Sequence, residues 1–219
     1  MLTRSLVARL PSLGQLSLLL VAFVLSRAQH PPQPGPPGPP GPGLSDRLAD
    51  IQRKLDSTKA VDVTAQRALQ FSRGYLANAK KAFRSDQPFA ADRFAEAADA
   101  LLHIAEHQQH LRTGGGPKGP PPASEIEDHL QRVYFRTQQA DYFLQQSHDP
   151  QAGSFAKWAR DFYQLAVRAY ERKDLVAADE NAKCAEEVIK ALENLAQAAS
   201  PTNVPAPPPR PPLPHRRLP

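Results

Sequence analysis

One stretch of the chain carries histidine and acidic residues at helical spacing, and these residue types can bind a metal ion. Asp99, His103, His107 and His110 follow one another at intervals of four, four and three residues, and Glu106 lies beside them. Side chains three or four residues apart share one face of an α-helix. Two or three imidazoles can therefore meet one Zn²⁺ or Cu²⁺ ion. A solvated, histidine-rich polar face is the favoured interpretation, and a metal site at Asp99, His103, His107 and His110 is the hypothesis kept beside it.

The opposite face of the same predicted helix is apolar, with a seam formed by Phe94, Ala98, Leu101 and Ala105. We therefore expect the histidine face to be exposed to solvent. Metal ligands without ordered neighbours around them bind weakly. A di-iron carboxylate centre needs Glu-x-x-His. It is excluded, because no Glu of the chain has a His three residues later.

Apolar residues recur at helical spacing in six stretches, and no stretch indicates a strand. We expect the fourth helix to open with a capping box at Ser124 and Glu127. We expect the fifth to open with Asp149 as N-cap and Pro150 at the first helical position. The fold class predicted is all-α, an antiparallel helical bundle of two related hairpin units with about six helices. The predicted helices are about 45–58, 63–84, 89–112, from 124, from 149–150, and about 174–199.

Three proline-rich segments punctuate the chain. Proline lacks a backbone N–H and clashes with helix, so these segments should sample polyproline II. Their positions divide the chain into a disordered Pro/Gly-rich segment, a first helical unit, a Gly/Pro linker, a second helical unit and a Pro-rich basic tail. The boundaries are 29–43, 44–112, 113–123, 124–200 and 201–219.

Residues 1–28 are typical of a secretory signal peptide. Arg4 and Arg9 precede an apolar run at 16–25, and small residues precede a cut after Ala28. The run is shorter than the roughly 20 residues that a membrane span needs. We therefore expect an exported protein, periplasmic or secreted, that does not span the membrane after cleavage.

The charge argues against a nucleic-acid-binding protein, and the cysteine content excludes a fold held by an intramolecular disulfide. Without residues 1–28 the chain has 24 basic and 22 acidic residues, and segment 44–200 has 21 and 22. We expect no nucleic-acid binding, because that needs a clustered basic face. The one cysteine, Cys184, cannot form an intramolecular disulfide, so stability must come from packing. We expect Cys184 to fill space in the core.

Two adjacent aromatic pairs, Tyr134-Phe135 and Tyr142-Phe143, lie eight residues apart in the fourth predicted helix. Neighbouring helix positions point about 100° apart, so we do not expect all four rings to face inward. A wide buried stripe between two neighbouring helices is the favoured interpretation. A partner-contact surface at Tyr134, Phe135, Tyr142 and Phe143 is the hypothesis kept beside it.

The sequence also matches itself at an offset of 87 residues, without a gap. This self-similarity indicates a duplicated unit. The one change among the nine matched pairs is Phe83 to Tyr170, and we expect both rings to close the open end of a helical hairpin. The first copies are Ala79, Ala82, Phe83, Ala90, Ala91, Asp92, Ala95, Ala98 and Glu106.

The second hairpin carries an Ala-Tyr pair, an acidic turn residue and small residues on the next helix. This pattern resembles a tetratricopeptide repeat, and the first hairpin repeats it. The resemblance implies a protein-binding scaffold rather than an enzyme. The turn lacks the family's glycine, and the helices are longer than a 34-residue unit holds. The matching positions are 169–170, 174, 178, 182 and 185, and then 82–83, 86, 91, 95 and 98.

No group of residues has the spacing of a catalytic site, and the expected core positions are Ala, Leu, Phe and Val. We therefore expect a non-enzymatic, exported helical scaffold or protein-interaction module with Pro-rich spacer arms. An envelope or extracellular protein that binds a metal through the histidine face is the alternative.

Overall fold

The computed structural model describes residues 43–114 and 121–199. These ranges contain six helices and no strand, which confirms the all-α prediction. The predicted signal peptide, the first Pro-rich segment, most of the linker and the tail lie outside the described residues. The helices are α1 (Leu44–Ser57), α2 (Val63–Arg84), α3 (Pro88–Thr113), α4 (Ala123–Gln146), α5 (Ala152–Glu171) and α6 (Leu175–Ala199).

Two predicted helix starts are wrong. α4 begins at Ala123 with Pro122 before it and without a side-chain cap. Ser124 is therefore already inside the helix and cannot cap it. α5 begins at Ala152, and Asp149 Oδ1 instead accepts the Gln151 N–H at 2.7 Å in the preceding turn. The same carboxylate oxygen accepts the hydroxyl of Tyr75 at 2.9 Å, which ties this turn to α2.

The α2–α3 and α5–α6 turns have the same backbone geometry at positions 87 residues apart. Asp86 and Lys173 both have left-handed φ angles, 55° and 62°. The residue after each donates its N–H across the turn, to Ala82 and Ala169 respectively, at 3.0 Å in both cases. These bonds satisfy carbonyls that the helix ends leave free.

One ring expected to close a hairpin is exposed. Phe83 is 44% exposed, whereas Tyr170 is partly buried against the core. Ala82 takes the inward position on α2 and is 6% exposed. The next residue must point away, because neighbours in a helix are about 100° apart. The prediction for Phe83 is therefore wrong.

Helices α3 and α6 lie side by side at the centre of the bundle. α3 contacts α1, α2 and α6, while α6 contacts α3, α4 and α5. Alanines such as Ala97, Ala100 and Ala191 are fully buried on these two helices. Small side chains let helices approach closely. Hence the two predicted helical units pack on each other in one bundle.

The first and last described residues, Gly43 and Ala199, lie at the same end of the helical bundle. Arg47 contacts Asp92 at 2.9 Å and Lys54 faces Asp99 at 3.8 Å, so α1 runs parallel to α3. Arg93 of α3 contacts residues near the end of α6, so α6 runs antiparallel to α3. The starts of α1 and α3, the α2–α3 turn and the end of α6 therefore share one end, called here the arm end. None of the described helices has an apolar stretch long enough to cross a membrane.

Candidate functional site

The predicted metal-binding face of α3 lies against α6 and is only partly exposed to solvent. The side chains of His103, His107 and His110 are 30%, 17% and 36% exposed. The expectation of an exposed face is wrong because α3 has neighbours on several sides, with α1 and α2 on one and α6 on another. The histidines therefore face acidic residues of α6.

Two of the four predicted ligands meet at one carboxylate. His107 Nδ1 lies 2.8 Å from Glu180 Oε2, and His110 Nδ1 lies 3.3 Å from the same oxygen. The rings of the two histidines meet edge to face at 6.1 Å between centroids. The nitrogen and oxygen atoms of the three residues lie within 4.8 Å of one another. We call this group the His-Glu trio.

Glu180 is the most enclosed member of the trio, with its side chain 4% exposed. Burial opposes its ionisation, but hydrogen bonds from His107 and Lys183 outweigh burial and lower its pKa. Lys183 Nζ lies 3.0 Å from Oε1 of Glu180 and 2.6 Å from Asp179 Oδ2. Because Lys183 holds Oε1, the other oxygen is the one turned to the histidines.

The other two predicted ligands lie outside the trio. The ring of His103 faces Glu187 at 3.8 Å and Glu106 at 4.0 Å. Asp99 faces Lys54 across the α1–α3 contact at 3.8 Å. The neighbouring Glu187 carboxylate has the largest effect on His103 and raises its pKa, with Asp99 and Glu106 adding to it, although burial opposes charging.

Sequence reasoning missed a second histidine site on the other side of α6. The two ring nitrogens of His129 lie 3.3 Å from Asp179 Oδ1 and 3.2 Å from Glu186 Oε2. Burial lowers the pKa of this imidazole, but these hydrogen bonds outweigh burial and raise it to about 9. His129 is therefore a charged link between α4 and α6.

A sequence signal for both histidine sites lies on α6. Its acidic pairs Asp179-Glu180 and Glu186-Glu187 are seven residues apart, close to two helical turns. The first members of the pairs face His129 on α4, and the second members face α3. Acidic pairs at this spacing on an otherwise buried helix indicate basic partners on two neighbouring helices.

The four aromatic residues predicted to contact a partner have different environments. Tyr134 is 45% exposed, and its ring lies 5.9 Å from that of Tyr163 on α5. Phe135 and Tyr142 are partly buried, and Phe143 is buried in the core. Tyr134 is thus the one of these four rings most open to a partner.

Cys184 is fully buried on α6, and Gln108 donates to its sulfur at 3.4 Å. Burial raises the pKa of its thiol to about 12. Since the thiolate is the reactive form, we expect Ellman's reagent to leave the native chain unlabelled at pH 8. The denatured chain should react with one thiol per molecule. Rapid labelling of the native chain would contradict this burial.

No family model, no curated protein and no solved structure matches the chain.

Proposed function

We propose that the chain is an exported, non-enzymatic helical scaffold built around two related helical hairpins. Its Pro-rich arms are spacers, and its arm end contacts an acidic protein partner. The observation that carries the proposal is topological: both segments that lead to the arms, Gly43 and Ala199, lie at one end of the bundle. The shared geometry of the two turns, at Asp86 and Lys173, supports the duplication.

The arm end also carries exposed apolar and basic residues. Phe83 and Phe89 are each 44% exposed. Lys81 and Arg84 lie in the last turn of α2 beside Phe83. Segment 201–219 adds three arginines and no acidic residue. Aromatic and arginine side chains are enriched in protein interfaces. Because exposed Asp46 and Asp86 also lie at the arm end, the preference for an acidic surface comes from the three arginines of segment 201–219.

Two arms at one end serve a single partner better than arms at opposite ends. A polyproline II rise of about 3.1 Å per residue would give segments of the lengths of 29–43 and 201–219 a reach of roughly 45 and 60 Å. Linked contacts raise the effective concentration of the second contact once the first has formed. The arms therefore hold a partner near the arm end even when each contact is weak.

A pull-down from envelope or secreted extract tests the proposal. The bait is residues 29–219, compared with residues 44–200 and with a Phe83→Ser/Phe89→Ser variant. We expect removal of the arms and the Phe83→Ser/Phe89→Ser substitutions each to reduce capture of the same acidic protein. We also expect high salt to weaken this capture. Val63→Ser is the matched control, because Val63 is 80% exposed at the opposite end of α2.

Two results would contradict this function. One is an equal loss of capture in the Val63→Ser control, which would show that the arm end is not the contact. The other is a lower melting temperature of residues 44–200 than of 29–219, because spacer arms should not stabilise the bundle. We expect the two chains to melt at the same temperature with the same helicity.

A further inference from the structure

We propose that His107, His110 and Glu180 bind one divalent transition-metal ion of the Zn²⁺ type. The inference is independent of the partner proposed above. It also differs from the site that spacing alone predicts, because Glu180 of α6 replaces Asp99 and His103 of α3.

The separations within the trio are close to those of tetrahedral coordination. Zn²⁺ binds imidazole nitrogen and carboxylate oxygen at about 2.0–2.2 Å, so neighbouring ligand atoms of a tetrahedron lie about 3.3–3.5 Å apart. The histidine nitrogens lie 2.8 and 3.3 Å from Glu180 Oε2. The His110 nitrogen therefore already lies at the tetrahedral separation from Glu180 Oε2, whereas the His107 nitrogen, now at hydrogen-bond distance, has to move outward to admit an ion. Three protein ligands leave one position for water or an external ligand.

The surroundings of the trio also suit a metal ion. Lys183, which is itself paired with Asp179, holds Glu180 from behind, as groups around a metal site orient its ligands. His110 is the most exposed member, at 36%, and gives an ion a route from solvent. One carboxylate with two imidazoles favours Zn²⁺, Cu²⁺ or Ni²⁺ over Ca²⁺ and Mg²⁺, which prefer oxygen ligands.

The bundle contains a counterpart of the trio at its other end. Positions 87 residues from Glu180, His107 and His110 are occupied by Arg93, Asn194 and Gln197. Arg93 Nη1 donates to Asn194 Oδ1 and to Gln197 Oε1, both at 3.1 Å. The same three-residue contact between α3 and α6 thus exists twice, once with metal-binding residue types and once without.

The counterpart shows which residue types the packing of α3 on α6 requires. The α3–α6 contact needs hydrogen-bonded polar residues at these positions, and arginine, asparagine and glutamine suffice at the arm end. Histidine and glutamate at the other end are therefore not required by packing. Together they supply what the counterpart lacks, which is imidazole nitrogens beside an anionic oxygen; each Nδ1 offers a lone pair to an ion in the tautomer that carries its proton on Nε2.

The test is isothermal titration of the full chain with Zn²⁺, with Co²⁺ absorption as a second readout. We expect one ion per chain and the intense visible bands of tetrahedral Co²⁺. The main variant is His107→Asn/His110→Gln, which installs the residue types of the counterpart. It should keep its helicity and lose at least about 100-fold in affinity, more than removal of an outer-shell partner usually costs. Glu180→Gln should weaken binding in the same direction.

Two controls locate the site. Asn194→Ala/Gln197→Ala changes the counterpart and should leave Zn²⁺ affinity unchanged. His103→Ala removes a histidine of the same helix that lies outside the trio, and it too should leave the affinity unchanged. The proposal is overturned if the native chain binds no Zn²⁺ or Co²⁺. It is also overturned if His107→Asn/His110→Gln binds normally or if His103→Ala abolishes binding.

Discussion

Phe155→Ala should lower the free energy of unfolding by about 3–5 kcal/mol, the range for removing a large aromatic ring from a core. Phe155 is fully buried on α5. Its ring lies 5.1 Å from Phe71 and 6.0 Å from Tyr75, both on α2, and 6.5 Å from Trp158. The substitution removes contacts between the two halves of the chain and leaves a cavity among three rings. Chemical denaturation monitored by circular dichroism measures the loss.

Phe83→Ala is the matched control for this prediction. It removes the same ring from a site that is 44% exposed, where a change usually stays within about 0.5 kcal/mol. In a thermal scan, each kcal/mol corresponds to about 2–4 °C for a chain of this size. Equal losses in the two variants would show that the Phe155 cluster does not join α2 to α5.

The free energy of unfolding should fall as the pH rises from about 6.5 to about 9, in part because of His129. The pKa of this imidazole is raised from 6.5 to about 9 in the folded chain. The folded state therefore holds a proton that the unfolded state releases above pH 6.5. Its stabilising contribution is complete below pH 6.5 and is lost as the pH passes through 9. Denaturation midpoints between pH 6 and 10 measure it.

His129→Gln isolates the contribution of this residue. Glutamine keeps a hydrogen bond to one carboxylate, carries no charge and does not titrate. At pH 6 the variant should lose about 1.5–3 kcal/mol, the range for hydrogen bonds to charged groups. The difference from the native chain should shrink towards pH 10. A difference that stays constant with pH would show that His129 is not charged in the native state.

The sequence alone determined the six helices, to within a few residues at their ends. The periodicity of apolar residues predicted α2 with the bounds that the structure has, from Val63 to Arg84. Helix ends were harder to predict. The predicted N-cap Ser124 lies two residues after Pro122, the residue that precedes α4 in the structure. Asp149 shows the same limit, since its oxygen bonds Gln151 and Tyr75 at once. The second of these partners comes from a distant helix.

Only the tertiary structure decided which polar residues meet. Spacing within α3 grouped Asp99, His103, His107 and His110, because residues three or four apart share a face whatever lies opposite. The packing of α3 on α6 split that group, and Glu180, 70 residues beyond His110 in the chain, joined two of its members. The physical reason is that a helix face is a local property. The partner of that face depends on how the helices cross.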